Sequence, residues 1–176
     1  MISAASVFLL SMGSIMTYAQ SSNPVSFMVE EWKRAREYTK EYLEAMPEEG
    51  YSFKPVPEVK SFGQQFLHLA GANLRYASVC IGKPDPNPSL KVLENDPTLQ
   101  SKASTTKMVL ESYDFVIEAL KSLSPTQLQE KVVLYEFTLT KELVFFKAFE
   151  HQTHHRGQTT IYFRSKGLKP PGERLF

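Results

Sequence analysis

From Asn23 onward, apolar residues return every three or four positions in four long stretches, and each stretch is bounded by a cap, a proline or a glycine. That spacing fits helices that bury one face. Asn23-Pro24 opens the first: a capping side chain, then a proline whose missing N–H is harmless at the first helical position. Met28, Trp32, Ala35, Tyr38, Tyr42 and Met46 follow on one face, and Pro47 and Gly50 end it. Ser61 opens the second helix, with Gln64 completing a capping box, and the helix is predicted to run to Ile81 before Gly82 and Pro84. The third lies between Ser101 and Leu123, with Met108, Val116, Ala119, Leu120 and either Tyr113 or Phe115 facing inward. The fourth starts near Thr138 or Thr140 and ends near Lys166, where Gly167 supplies a left-handed cap ahead of Pro170-Pro171. Residues 51–60 and 82–97 carry the prolines of two connections, and Lys131–Phe137 suits a short extended segment or hairpin arm. The expected fold is all-α: an antiparallel four-helix bundle with one long crossover connection, a single domain over residues 20–176.

Residues 1–22 read differently. No charged side chain appears before Glu30, and Ile2–Met16 is a largely apolar run. Thr17-Tyr18-Ala19 then offers small residues at the −3 and −1 positions of a cleavage site. Residues 1–19 are therefore predicted to be a signal peptide cleaved after Ala19. The run is shorter than the about 20 apolar residues of a membrane span. A basic leading region is missing, so an uncleaved anchor or a different start codon is the alternative. Export makes the protein periplasmic or secreted, with no stable membrane association after cleavage. The lone cysteine, Cys80, is compatible with an oxidising compartment, and it excludes an internal disulfide, an all-cysteine zinc site and a Cys-x-x-Cys redox pair. Twenty Lys+Arg against 19 Asp+Glu give a net charge of +1, which argues against a nucleic-acid partner.

Three of the four histidines crowd into five residues, His151-Gln152-Thr153-His154-His155. His151 and His155 are separated by about 40° and one helical turn. Imidazoles so placed can bind one metal ion from the same face. Without a metal, hydrogen bonds or water must hold them, since an unsatisfied buried group costs about 1–3 kcal/mol. The spacing approaches that of the HExxH metalloproteases, but Gln152 stands where the general base would be, and glutamine cannot act as one. His154 points about 100° away from His155 and cannot readily serve the same ion. On the second helix, His68 shares a face with Gln64 and Arg75, opposite the main apolar stripe. Periodicity alone reads it as a half-exposed histidine, with a ligand projecting into a cleft as the alternative. Gln64, Gln158 and Tyr162 read as packing or supporting residues. Arg75 and Arg156 read as solvated helix charges, with a substrate carboxylate or phosphate as their alternative role. Cys80 lies about 18 Å along the helix from His68, too far to be a ligand, and reads as a buried apolar residue.

Three segments carry a resemblance: MPEEGYSFKPVPEVKSFGQQFLHLAGANLRY (46–76), ESYDFVIEAL (111–120) and HQTHHRGQTTIYFRSKGLKPP (151–171). In this order they resemble the DinB-like superfamily of four-helix metal-binding proteins, which includes bacterial thiol transferases. The resemblance implies a divalent metal held by His68, His151 and His155, with His154 left out. It also implies a homodimer and crossover connectivity. Three neutral imidazoles leave an open coordination position. An ion there lowers the pKa of bound water or of a substrate thiol. Imidazole ligands fit zinc, nickel, iron or copper, and ligand identity alone does not choose among them; the expected ion is zinc or nickel, with iron or manganese as alternatives. The expected function is a metal-dependent hydrolase or thiol transferase acting on a small molecule. The alternative is a metal-binding or interaction bundle without turnover.

Overall fold

The computed structural model describes residues 23–85 and 90–176, and the segment read as an export signal lies outside them. Helices begin and end where local chemistry favours it. Helix α1 (Pro24–Ala45) starts with Asn23 Oδ1 accepting the Val25 N–H at 3.0 Å. Helix α2 (Phe62–Ile81) starts with the full capping box: Ser61 Oγ accepts from the Gln64 N–H, and Gln64 Oε1 accepts from the Ser61 N–H. It stops at Gly82, whose φ of 65° no side chain would favour. A short helix α3 (Leu90–Asn95) follows within the connection. Ser101 caps α4 (Lys102–Lys121), Ser124 caps the single turn α5 (Pro125–Leu128), and Thr140 caps α6 (Lys141–Ser165). The strand-like stretch forms one arm of a hairpin. Strand β1 (Lys131–Leu134) pairs antiparallel with β2 (Phe137–Thr140), Leu134 opposite Phe137. Its turn places Tyr135 at φ 55°, a left-handed conformation where glycine or asparagine is usual and a bulky residue costs roughly 1–2 kcal/mol.

Side-chain pairs give the helix directions. Thr39 meets Tyr113, and Tyr51 beyond the end of α1 meets Thr106, so α1 and α4 are antiparallel. Gln65 bonds Tyr162 and Cys80 faces the Lys141 carbonyl, so α2 and α6 are antiparallel. Gly63 lies against Thr105 and Asn73 bonds Ser112, so α2 and α4 run parallel. Parallel neighbours require the chain to return along the bundle between α2 and α4, where α3 lies. The all-α bundle with a crossover is thus the observed architecture, and the crossover presses α3 onto α2.

Three helices meet on Trp32, which packs edge-on against Tyr113 at 5.6 Å and Phe149 at 5.5 Å. Of the two aromatic candidates on α4, Tyr113 is buried and Phe115 only partly so. Helix α2 is buried far beyond its expected stripe, because α4, α6 and α3 all pack on it. Arg156 corrects the reading of a solvated charge. It is 6% exposed, donates to Gln152 Oε1 at 2.7 Å and Thr39 Oγ1 at 3.1 Å, and lies 4.4 Å from the centre of the Tyr38 ring. Tyr113 donates to the same Gln152 oxygen at 2.8 Å. Gln152 therefore joins a buried polar network in the bundle interior.

Candidate metal centre

The antiparallel pairing of α2 and α6 brings His68 opposite His151 and His155. Ring centroids are 4.4 Å apart for His151 and His155, 4.6 Å for His68 and His155, and 5.2 Å for His68 and His151. One ligating nitrogen from each ring lies within 4.8 Å of the other two. All three side chains are partly buried.

Two of the rings are held by their Nδ1 atoms. His68 Nδ1 stands 2.9 Å from Glu94 Oε2, a carboxylate that is itself buried and lies 3.4 Å from Lys60 Nζ. His155 Nδ1 stands 2.7 Å from Gln65 Oε1. The Gln65 amide nitrogen donates to the Tyr162 hydroxyl at 3.1 Å, and that hydroxyl donates to the Lys60 carbonyl at 2.5 Å. An ionised carboxylate only accepts, and the Gln65 oxygen only accepts, so both histidines carry their proton on Nδ1. Their Nε2 lone pairs remain for another partner. Such outer hydrogen bonds orient metal-binding imidazoles and raise their basicity. The third ring differs: His151 Nδ1 is buried and lacks a hydrogen-bond partner among the described residues. A donor set of three imidazoles, one of them unsatisfied, fits a divalent ion.

The electrostatics agree. Burial, with repulsion from the neighbouring rings, pushes His155 down to about 3 and His151 down to about 4. His68 is also lowered, burial outweighing the opposing pull of Glu94. At neutral pH the three rings are uncharged, the state in which imidazole binds metal.

The structure redistributes the supporting roles. His68 does not sit on an open polar face; α3 covers it and leaves its side chain 20% exposed. Gln64 stays with its cap, and its amide donates to Asn95 at 3.2 Å, while its neighbour Gln65 serves the site. Tyr162 reaches the centre only through Gln65. Gln158 pairs with His154 at 2.8 Å on the exposed side of α6, outside the cluster. Arg75 pairs with Asp85 at 2.9 Å. Cys80 is fully buried and its thiol is pushed up to about 12 by burial, so it is neither ligand nor nucleophile. Glu94 escaped sequence reading because it lies in a proline-rich connection whose path over α2 no local pattern reports.

An apolar hollow of about 240 Å³ between α1 and α6, lined by Phe27, Trp32, Phe146 and Phe149 among others, has Glu31 as its one charged wall residue. It offers no convergent polar groups, so the chemistry belongs to the histidines.

The family model described as "DinB family" matches residues 20–174. A DinB-like protein from Bacillus cereus ATCC 10987 has a similar crystal structure: 21% identity, a TM-score of 0.71, and coverage of 84% of this chain and 96% of that one. The DinB-like protein YjoA from Bacillus subtilis gives 22%, 0.65, 85% and 96% in the same order. At these identities the likeness concerns the fold. No curated protein matches the chain.

Proposed function

The chain belongs to the DinB family, and on that premise we propose that His68, His151 and His155 hold a divalent metal ion at which a small molecule is hydrolysed or a thiol is transferred. The observation that carries this reading is the hydrogen-bond pattern: two rings are fixed with their Nε2 lone pairs free, and the third has its Nδ1 buried without a hydrogen-bond partner among the described residues. The ion in this reading is zinc or nickel, with iron or manganese as alternatives; an all-imidazole donor set accepts zinc, nickel, iron or copper without ranking them. When bound, such an ion brings the pKa of a coordinated water or thiol towards neutrality. Glu94 and Gln65 keep His68 and His155 in the required tautomer, and burial keeps all three rings uncharged. The reading includes export with cleavage after Ala19 and assembly as a homodimer. Intact mass of the secreted protein and sedimentation velocity test those two parts.

The function is tested by metal analysis of untagged protein, followed by assay of stripped and reloaded samples against thiol-transfer and ester or amide substrates. We expect about one ion per chain, and turnover that disappears on stripping and returns on reloading. Stoichiometric metal with no turnover on either substrate set would overturn the catalytic reading. Glu94→Gln keeps an acceptor for His68 but loses the negative charge. Its metal dissociation constant is expected to rise about 10- to 100-fold in competition with a chromophoric chelator. An unchanged constant would show that Glu94 is only packing.

A further inference from the structure

Tyr135 is the single non-glycine residue with positive φ among the described residues, and the residue is 53% exposed. Glycine or asparagine would relieve the turn, and Leu134 already anchors the hairpin in the core, so what a tyrosine adds here is its ring and its hydroxyl, which hydrogen-bonds Tyr76 and Arg75. Strained residues of this kind cluster at functional sites. The position of the ring supplies a reason here. Tyr135 packs on Tyr76 at 6.5 Å, and Tyr76 packs on His151 at 6.0 Å. Arg75 lies 5.9 Å from the centre of the Tyr135 ring. Along α2, Arg75 follows His68 by two turns on the same face, about 10 Å away. A cavity of about 280 Å³ opens there, lined by Arg75, Val79, Asp85, Val133, Leu134 and Tyr135. The histidine cluster, the tyrosine pair and this mainly apolar cavity thus follow one another along one side of α2.

We propose that Tyr135 and Tyr76 form the specificity wall of the metal centre, and that the ligand is a small molecule whose metal-binding group is followed by a planar apolar or aromatic portion. The inference rests on the metal reading above. The ligand's metal-binding group sits at the histidines and its planar part lies along the two tyrosine rings towards the cavity. Offset or edge-to-face contact with the rings is the recognising interaction. The contacts of Tyr135 with Tyr76 and Arg75 hold the strained hairpin tip in place and keep its ring in the wall.

Two hydroxamates that differ in a phenyl against a methyl group test this: benzohydroxamate and acetohydroxamate, titrated calorimetrically into zinc-loaded protein. Wild type is expected to bind the phenyl compound at least about tenfold more tightly. Tyr135→Gly is expected to keep its metal and its fold, because relief of the turn offsets part of the lost contact with Tyr76 and Arg75. Its preference is expected to fall to about threefold or less. Tyr135→Asn, which also tolerates the left-handed conformation, should behave alike and guards against an effect of glycine flexibility. A metal-loaded wild type without the preference, or a metal-loaded Tyr135→Gly that retains it, overturns the proposal. A wild type that takes up no zinc overturns the reading beneath it, and metal analysis shows this before any hydroxamate is added.

Discussion

Replacing His68, His151 or His155 singly by alanine is expected to reduce bound metal from about one equivalent to below about 0.1, whereas His154→Ala keeps it. The reasoning is geometric. The three rings each place a nitrogen within 4.8 Å of the others, and no fourth histidine, cysteine or carboxylate joins that group among the described residues. Removing one leaves two imidazoles, too few to retain a divalent ion through dialysis. His154 packs edge-on against His155 at 5.1 Å, but it is exposed, paired with Gln158 and offers no nitrogen to the group, so its loss leaves the metal in place. Plasma mass spectrometry on the four variants and wild type is the measurement, with circular dichroism to establish folding. Retention of metal by all three single variants, or its loss from His154→Ala, would falsify the three-histidine assignment.

Trp32→Ala is expected to cost about 3–5 kcal/mol, the usual range for truncating a large buried aromatic. The indole is 1% exposed and joins α1 to α4 and α6 through Tyr113 and Phe149. The cavity would open where three helices meet, and none of them can close it without losing its other contacts. In a chain of this length the loss corresponds to roughly 6–20 °C in melting temperature. Phe27→Ala on α1 serves as the control. That ring is 61% exposed, so its removal should change stability by no more than about 0.5 kcal/mol. Urea unfolding of both variants decides the matter, and a Trp32→Ala cost below about 1 kcal/mol would contradict the described core. The folded fraction of Trp32→Ala should still bind metal, since the histidines are held by Glu94 and Gln65 and not by the indole.

Helix boundaries were legible in the chain because they depend on neighbours in sequence. Asn23, Ser61, Ser101 and Thr140 each bond a backbone N–H two or three residues on, and Gly82 and Gly167 adopt the left-handed conformation at their helix ends. The pairing of His151 with His155 was legible for the same reason, since a helix repeats every 3.6 residues. Burial was read less well. The α2 stripe was too narrow, because a central helix buries several faces and its periodicity fades. Arg156 looks solvated from its own helix because its partners Thr39 and Tyr38 lie on a helix far away in sequence.

The order of capped helices and the His151/His155 register were thus settled along the chain, by the repeat of the helix and by hydrogen bonds between near neighbours. The surroundings of His68 and His155 were not. Glu94 on the crossover, Gln65 instead of Gln64, and the tie from Tyr162 through Gln65 to His155 arise only when α3 and α6 both pack on α2. Contacts between residues tens of positions apart follow from which faces are buried together, and that is a property of the packed bundle.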